Sequence, residues 1–337
     1  MVRFGVIGCG TISSIFFGAV KQLPEAKVTR AFDANPERAK AFAEKAGALP
    51  CASMEELMAS SDVDAVYIGT PSGMHADCAV RAANAGKHIV VEKPIGITEE
   101  QLDAIEAACK KNKVKLCAIS QLYFSDDYQK MKKALSEGRF GKTFLANLTM
   151  KYFRSDEYYQ NGGWRGTWKF DGGGALMNQG IHGVGLLLGL MGAPKSVTAL
   201  TRTFVHPIEV EDTAIAIVEF QNGTIGNIIA TTSVQPAKPR ILTVHGTKGT
   251  VTLTEDKITE WSIAGEENTE IHSGPIRSSA SNPTNISSEL HRRQLADFIH
   301  AVETDGHPVL GVAEGRMPVD LILGIYRSSK EGKTIHF

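Results

Sequence analysis

The chain has 337 residues, of which 42% are hydrophobic and 22% are charged, and its formal net charge is -1. This composition is that of a globular protein large enough for two domains, and it excludes an intrinsically disordered chain. A net charge near zero offers no basic surface for nucleic acid or for an anionic membrane, so we expect neither as a partner.

Cysteine usage bears on the compartment and on metal binding. The five cysteines stand singly at positions 9, 51, 78, 109 and 117, and no two of them form a C-x-x-C pair. We therefore expect no disulfide framework and no metal site, and a reducing, cytoplasmic compartment. Residues 175–193 carry no formally charged side chain and have the length of a membrane span, but their glycines and polar residues favour a buried helix.

The first 120 residues alternate short β-branched runs with helical segments. The pattern predicts strands at residues 2–8, 27–33, 64–69, 87–92 and 114–120. Helices are predicted after the first strand, over 36–47, ending near 86, and over 98–112 with Thr98 as the N-cap. This alternation predicts a doubly wound parallel sheet of the Rossmann type, and we assign it to residues 1–122.

The pattern changes in residues 123–337. A helix over 126–137, a strand over 143–151 and an aromatic, glycine-rich loop over 152–174 lead into a glycine-rich helix that ends near 191. Consecutive strands over 196–273 predict a large, mostly antiparallel open-faced sheet, and residues 274–285 are turn-rich. Helices near 286–304 and 312–330 follow. The predicted fold class is α/β, with an N-terminal Rossmann domain and a C-terminal α+β domain.

The turn between the first strand and the first helix reads Gly-Cys-Gly-Thr-Ile-Ser at 8–13. Glycine suits a tight turn that lets the backbone approach a pyrophosphate, and the free N–H groups of the following helix favour negative charge. Serine stands where a third glycine is usual, and it is small enough for close packing. The candidate cofactor-binding residues in this turn are Gly8, Gly10, Thr11 and Ile12, unless the turn serves the fold alone.

Asp33 follows the second strand, where a carboxylate can accept hydrogen bonds from ribose hydroxyls. It would repel a 2′-phosphate, and Ala34 offers no arginine to receive one. We therefore expect NAD rather than NADP as the cofactor. The alternative is that Asp33 caps a turn.

Lys93 follows the apolar strand His-Ile-Val-Val, in the sequence Glu92-Lys93-Pro94. Ligands of open parallel sheets bind at the carboxyl ends of the strands, so a lysine there can reach the oxygen of a reacting carbon. It could equally be a solvated lysine after a strand. The same edge supplies further cofactor-binding candidates, namely Thr70, Pro71, His75 and Glu92. For His75, a place at a helix start is favoured over a catalytic role.

Asn178 and His182 are four residues apart in the predicted glycine-rich helix and share one helix face. Glycine inside a helix costs roughly 1 kcal/mol relative to alanine, and the usual reason to accept that cost is close approach of backbone or ligand. A histidine on such a face can act as a general base near neutral pH. The alternative is a histidine buried in the core with its hydrogen bonds satisfied.

Together these elements resemble the Gfo/Idh/MocA family of sugar and polyol oxidoreductases over essentially the whole chain. The segments that carry the resemblance are GCGTIS (8–13), Thr70-Pro71, GKHIVVEKP (86–94), GGGALMNQGIH (172–182) and EGRMPVDLILGIYRSSKEGK (314–333). The resemblance implies a Rossmann domain, an open-faced sheet domain that often forms homodimers or homotetramers, and hydride transfer between a nicotinamide and a carbinol carbon.

The resemblance also implies catalytic roles. Lys93 would orient the hydroxyl or help to deprotonate it, and His182 would act as acid and base. Many members have aspartate at the position of Asn178 and at that of Gly185, whereas some sugar-nucleotide oxidising members resemble this chain in having asparagine. An asparagine cannot relay a proton, so Asn178 would position the substrate.

The substrate is expected to be a sugar, sugar acid, sugar nucleotide or inositol. Aromatic rings can stack on sugar C–H faces, and arginines can bind a carboxylate or phosphate with two hydrogen bonds. The substrate-binding candidates are Tyr123, Arg154, Tyr158, Trp164, Arg165, Thr167 and Asn178, with Gln121 at the border of the cleft. Trp164 and Trp168 could instead anchor the loop on the sheet.

Two other functions remain open at this stage. The same scaffold can support transient oxidation followed by elimination, as in NAD-recycling glycosidases and epimerases, without net NADH. A non-catalytic dinucleotide or sugar sensor is the third hypothesis. Lys93 and His182 argue against a sensor, as does the absence of a basic extension from the sequence given.

Overall fold

A computed structural model describes residues 1–160, 163–267, 271–272, 274–276, 278–281 and 288–337. The chain divides into two compact units, Met1–Gln121 with Ser287–Arg316 and Leu122–Ile286 with Met317–Phe337. Residues 287–316 belong to the first unit, whereas the sequence predicted a single boundary after residue 122. The assignment of cofactor binding to 1–122 and substrate binding to 123–337 stays a prediction.

The secondary structure follows the predicted order. The α-helices described are α1 (Thr11–Val20), α2 (Pro36–Ala46), α3 (Met54–Ala59), α4 (His75–Asn84), α5 (Glu99–Asn112), α6 (Asp126–Ser136), α7 (Asp156–Gln160), α8 (Ile181–Met191), α9 (Ser288–Glu303) and α10 (Val312–Glu331). The strands are β1 (Val2–Ile7), β2 (Ala26–Phe32), β3 (Leu49–Pro50), β4 (Ala65–Ile68), β5 (His88–Val91), β6 (Leu116–Ala118), β7 (Thr143–Lys151), β8 (Pro194–Arg202), β9 (Thr213–Phe220), β10 (Ile225–Thr231), β11 (Ile241–Gly246), β12 (Gly249–Thr254), β13 (Lys257–Ile263) and β14 (Ile335–His336).

The first unit is built on a six-stranded parallel sheet with the order β3-β2-β1-β4-β5-β6. This confirms the predicted doubly wound sheet, although the two-residue strand β3 gave no sequence signal. The strand order reverses between β1 and β4, and open sheets of this kind bind ligands outside that point. Helix ends follow local chemistry, since Asn35 caps α2 and Thr98 caps α5 through side-chain oxygens that accept backbone N–H groups.

The second unit is built on an eight-stranded sheet with the order β13-β12-β11-β7-β10-β9-β8-β14. Its neighbouring strands are antiparallel except for the parallel pair β7 and β10. The prediction of a mostly antiparallel sheet is confirmed. Side chains of β9 alternate, with Ala214, Ala216 and Val218 buried and Ile215 and Ile217 exposed, so one face carries the core and the other lies open.

The sequence predicted one helix through the glycine-rich segment that ends near residue 191, but the structure divides this segment into two parts. Residues Ala175–Gly180 form a π-helical turn, and α8 begins only at Ile181. A Cβ at Gly180 would lie 3.0 Å from the carbonyl oxygen of Ala175, which shows how closely this wide turn folds on itself. Single π-turns occur often at functional sites. Among the residues described, no helix has both the length and the apolar character to cross a membrane.

The core of the first unit includes α9, although α9 lies far away in sequence. Phe298 is fully buried, and its ring lies 6.2 Å from that of Phe4 on β1. Phe16 of α1 completes the cluster, 5.4 Å from Phe4 and stacked at 3.9 Å on Tyr67 of β4. These rings attach the late helix to the sheet that carries the glycine-rich turn.

We expect Phe298→Ala to lower the free energy of unfolding by about 3–5 kcal/mol, because it leaves a cavity in this cluster. His300→Ala, at an exposed position of the same helix, should change it by no more than about 0.5 kcal/mol. Urea unfolding of both variants measures the difference. A loss below about 1 kcal/mol for Phe298→Ala would contradict the packing of α9 against β1.

Candidate cofactor and substrate sites

Gly8 directly follows β1 and has a backbone conformation that favours glycine, with φ +85°. A Cβ at this position would lie 2.7 Å from the carbonyl oxygen of Gly69, directly after β4. Its N–H donates to the carbonyl oxygen of Phe32 at 2.9 Å. Glycine is therefore required here because the chain turns sharply between two strand ends, at the reversal of the sheet order.

Ser13 does more than provide a small side chain. It is fully buried, and its hydroxyl donates to the carbonyl oxygen of Gly8 in a short hydrogen bond. A Cβ at Gly69 would lie 2.7 Å from Ser13 Oγ, so the first turn of α1 packs closely against the end of β4. The serine in place of a third glycine thus closes the turn by a hydrogen bond.

The N-terminus of α1 fits an anionic group. Gly10 is its N-cap residue, no side chain caps the helix, and its first turn contains no acidic residue. A Cβ built at Gly10 meets nothing within 4 Å, so the space in front of the helix is open. Thr11 is exposed and Ile12 half-buried. Uncapped N–H groups facing open space are what a pyrophosphate requires.

Asp33, directly after β2, holds the same turn. One carboxylate oxygen accepts the N–H of Cys9 at 2.8 Å, and the other accepts the N–H of Asn35 at 2.8 Å. Each oxygen has a second lone pair, so the carboxylate can still accept a ribose hydroxyl. The two sequence-based alternatives for Asp33, turn former and ribose acceptor, are therefore compatible.

Glu92 and Lys93 follow β5 with different surroundings. Glu92 is only 6% exposed and accepts a hydrogen bond of 2.9 Å from the hydroxyl of Tyr67. Burial raises the pKa of its carboxyl group. Its hydrogen bond runs into the sheet, so contact with a cofactor stays a prediction. Lys93 is half-buried at the strand end, where the sequence predicted it.

His75 connects the ends of two strands. It is the first residue of α4 and 1% exposed, and its ring nitrogens lie 2.7 Å from the carbonyl oxygen of Pro94 and 2.8 Å from that of Thr70. Burial lowers the pKa of its imidazole. The predicted place of His75 at a helix start is confirmed, and its contact with a cofactor stays a prediction. Its polar ring atoms fix the loops beside Lys93 and Pro71.

In the second unit, Asn178 is oriented by an acid that sequence reasoning missed. Its amide nitrogen donates to Oδ1 of Asp171 at 2.5 Å, and Oδ2 of Asp171 accepts the N–H of Gly166 at 2.9 Å. Asp171 is 1% exposed, although aspartate is rarely buried without partners. The available signal was its place immediately before the glycine triplet. The carboxylate thus fixes the orientation of the Asn178 amide, with its NH₂ group towards Asp171.

Gln179 joins this network to Arg154. Its amide nitrogen donates to Oδ1 of Asn178 at 2.7 Å and to the hydroxyl of Tyr158 at 2.8 Å. Its oxygen accepts two hydrogen bonds from Arg154, whose other N–H groups donate to the carbonyl oxygens of Phe153, Ser279 and Ala280. All five donors of Arg154 therefore have protein acceptors. Direct binding of a substrate anion by Arg154 would require one of these bonds to break.

Arg165 has a different environment from Arg154. Its guanidinium carbon lies 4.6 Å from the ring centroid of Tyr158 and 4.9 Å from that of Trp164, and the side chain is half-buried. Stacking on two aromatic rings orients a guanidinium. Of the two predicted arginines, the geometry favours Arg165 as a group that meets an anionic substrate.

The other predicted substrate residues hold local structure. The Thr167 hydroxyl donates to the carbonyl oxygen of Trp164 at 2.7 Å and accepts the N–H of Phe170. The Tyr123 hydroxyl accepts a short hydrogen bond from Lys132, which also lies over its ring. Contact of Thr167 and Tyr123 with a substrate stays a prediction. Trp168, named from the sequence as a possible loop anchor, is 47% exposed, with its ring edge-on to Tyr326 at 5.3 Å.

His182 is the second residue of α8 and is half-buried. Next to it, a Cβ at Gly183 would lie 2.6 Å from Sδ of Met150 on β7. Gly183 therefore serves close packing of the helix on the sheet, one of the two reasons that the sequence suggested. Among the described residues, no group of three or more His, Cys, Asp or Glu side chains is placed to hold a metal ion.

Comparison with known families agrees with both units. A family model described as an oxidoreductase family with an NAD-binding Rossmann fold matches residues 2–120, and one described as the GFO/IDH/MocA C-terminal domain matches residues 128–252. The chain belongs to the Gfo/Idh/MocA family of oxidoreductases. The model that matches residues 2–120 describes an NAD-binding Rossmann fold, which agrees with NAD as the expected cofactor.

Three relatives show the range within this family. The solved WlbA dehydrogenase from Bordetella pertussis, in complex with NADH and UDP-GlcNAcA, is 33% identical, with a TM-score of 0.88 and coverage of 100% of this chain and 98% of its own. The 1,5-anhydro-D-fructose reductase of Ensifer adhaerens is 26% identical over 99% of this chain and 98% of its own. The NADP(+) scyllo-inositol 2-dehydrogenase of Bacillus subtilis is 27% identical over 75% of this chain and 76% of its own.

Gly8 and Gly10 provide a matched pair of substitutions. Gly8→Ala should destabilise the protein, since the left-handed conformation alone costs roughly 1–2 kcal/mol and the new Cβ meets the Gly69 carbonyl. Gly10→Ala should leave the melting temperature nearly unchanged but weaken NADH binding at least about tenfold, about 1.4 kcal/mol, because its Cβ fills the space in front of α1. Thermal unfolding and NADH fluorescence titration measure the two effects. Unaltered NADH affinity in Gly10→Ala would mean that the pyrophosphate does not approach this glycine.

Proposed function

We propose that this protein is an NAD(H)-dependent dehydrogenase that transfers hydride between the nicotinamide and a secondary alcohol of a sugar-like substrate. The observation that carries the proposal is the pair formed by His182, half-buried at the start of α8, and Asn178, whose amide is oriented by Asp171. An imidazole that can exchange protons, beside a fixed amide, is a suitable arrangement for alcohol oxidation. Membership of an oxidoreductase family supports it.

The proposed roles follow from the chemistry of each side chain. His182 takes the hydroxyl proton as general base, and Lys93 donates a hydrogen bond to the same oxygen, which stabilises negative charge as it develops. Asn178 positions the sugar by its oriented amide. The chemistry that bound NAD supplies is acceptance of the hydride from the carbinol carbon. The alcohol thus loses one proton and one hydride and becomes a ketone.

We further propose that the substrate is a nucleotide-linked sugar acid. The WlbA dehydrogenase from Bordetella pertussis, which is 33% identical over 98% of its own chain, was solved with NADH and UDP-GlcNAcA. Arg165, stacked on Tyr158 and Trp164, offers a guanidinium of the kind that binds a carboxylate or phosphate. Asn178 agrees with this assignment, since asparagine stands at this position in some sugar-nucleotide oxidising members that the chain resembles.

The decisive experiment measures reduced-nicotinamide absorbance with NAD, and separately with NADP, across inositols, free sugars, sugar acids and sugar nucleotides. We expect turnover with sugar-nucleotide acids and a preference for NAD, because Asp33 would repel a 2′-phosphate. His182→Ala and Lys93→Ala should each lower kcat by at least about 100-fold and still bind NADH. His300→Ala, an exposed histidine elsewhere, is the matched control.

Each contrary outcome has a specific meaning. Turnover confined to inositols would refute the substrate class and keep the dehydrogenase. NADH binding without net reduction on any alcohol would favour the cofactor-recycling hydrolase, or the sensor if no product forms at all. A fully active Lys93→Ala variant would remove lysine from the mechanism.

The open face of the eight-stranded sheet supports a homo-oligomer, and we propose that a second copy of this chain covers it. Leu200, Ile215, Ile229 and Ile241 occupy successive strands in one cross-strand row, interrupted by Thr149. Ile217 beside this row is 61% exposed. Contiguous exposed apolar surface of this kind marks an interface. Because the row carries no formal charge, two copies of it can meet about a two-fold axis without like-charge repulsion.

Ile217→Glu should convert a dimer or tetramer into smaller species, because it buries a charge in each half of the proposed interface. Val309→Glu, at another exposed apolar position, should leave the assembly intact. Size-exclusion chromatography with light scattering gives the molar mass of each. A monomeric wild-type protein, or an unaltered mass for Ile217→Glu, would refute this interface.

A further inference from the structure

The glycine triplet before the histidine helix encloses a buried carboxylate that has no assigned role. Glu211 is 3% exposed and lies just before β9. One of its carboxylate oxygens accepts the N–H of Gly174 at 2.9 Å, and the other accepts the N–H of Leu176 at 2.8 Å. Its own backbone carbonyl oxygen accepts the N–H of Ala175 at 3.0 Å. Three consecutive N–H groups at the start of the π-turn are thus satisfied by one residue.

Tyr326 of α10 is the second part of this arrangement. Its hydroxyl donates to the carboxylate of Glu211 at 2.9 Å. A Cβ at Gly173 would collide with this hydroxyl, and a Cβ at Gly174 would collide with the carbonyl oxygen of Glu211. Gly173 and Gly174 therefore have no room for a side chain beside Tyr326 and Glu211. Glycine is required at both positions by close packing, and at Gly173 also by its backbone conformation.

These contacts lie directly before the two predicted site residues Asn178 and His182 in the chain. The anchored N–H groups begin the π-turn that carries Asn178, and this turn leads directly into α8 with His182. The N–H groups at a helix start have no partner within the helix, so an outside acceptor decides where that helix begins. A carboxylate is favourable there because the N-terminal end of a helix carries partial positive charge.

We propose that Glu211 and Tyr326 are positioning residues that fix the π-turn and thereby set the placement of Asn178 and His182. This inference rests on the proposed function for the importance of His182. The hydrogen bonds themselves are independent of it. A displacement of about 1 Å at reacting groups can lower a rate by about 100-fold, so a loose first turn would lower kcat while the first unit still binds the cofactor.

Glu211→Gln tests the carboxylate with almost no change of shape. Whichever way the new amide is oriented, its NH₂ faces the N–H of Gly174 or that of Leu176, because each carboxylate oxygen accepts one of them. Tyr326→Phe is the milder variant, since it removes only one hydroxyl. Glu260→Gln is the matched control, because Glu260 is an exposed acid on β13 that accepts a hydroxyl hydrogen bond from Thr252.

Two measurements separate this proposal from the proposed function. Amide hydrogen exchange over residues 174–182 should become faster in Glu211→Gln and in Tyr326→Phe, and should stay unchanged in Glu260→Gln. With an active substrate, kcat should fall about 10- to 100-fold in Glu211→Gln and less in Tyr326→Phe, with an unaltered dissociation constant for NADH. A purely structural role would lower the melting temperature without changing the kcat of the folded protein.

Unchanged exchange over residues 174–182 in folded variants would overturn the proposal, and so would a kcat within twofold of wild type. If Glu211→Gln does not fold, Tyr326→Phe carries both measurements. Faster exchange in a protein that oxidises no alcohol would refute the dehydrogenase and leave Glu211 as the anchor of the turn.

Discussion

In each unit, a carboxylate from elsewhere in the chain accepts backbone N–H groups of the glycine-rich segment that leads into a helix. Asp33, after β2, accepts the N–H of Cys9 in the first unit. Glu211, before β9, accepts those of Gly174 and Leu176 in the second. Glycine loses more backbone entropy on folding than any other residue, so such turns depend on acceptors from outside. The placement of both candidate sites depends on these contacts.

The carboxylates of Asp33 and Glu211 differ in burial, and this difference favours different roles for them. Asp33 is half-buried at an open edge, where its remaining lone pairs can meet a ribose. Glu211 is enclosed, and burial raises the pKa of its carboxyl group to about 7. The two arginines also differ in their surroundings, since the donors of Arg154 meet protein acceptors whereas the guanidinium of Arg165 stacks on aromatic rings. For the carboxylates, enclosure favours a structural role and partial exposure leaves capacity for a ligand.

Sequence patterns predicted the parallel sheet, the glycine-rich turn and the mostly antiparallel second sheet because each depends on local periodicity or turn chemistry. They missed Asp171, since one acid before a glycine triplet resembles any turn aspartate until its partner Asn178 is seen. They also gave no sign that all five donors of Arg154 meet protein acceptors, and its role in substrate binding stays a prediction. The π-turn was predicted as part of a longer helix, since the apolar, glycine-rich composition of this segment does not distinguish a π-turn from an α-helix.

By itself, the sequence determined the fold class, the Rossmann-type sheet with its glycine-rich turn and the position of Lys93 at a strand end, because these follow from the order of strands and helices along the chain. Only the tertiary structure decided which polar residues hold the protein together and which remain available for a ligand. His75 bridging two strand ends and Tyr326 meeting Glu211 are contacts between segments distant in sequence. Such contacts depend on distance in space and on burial, and neither quantity is encoded in a local pattern of residues.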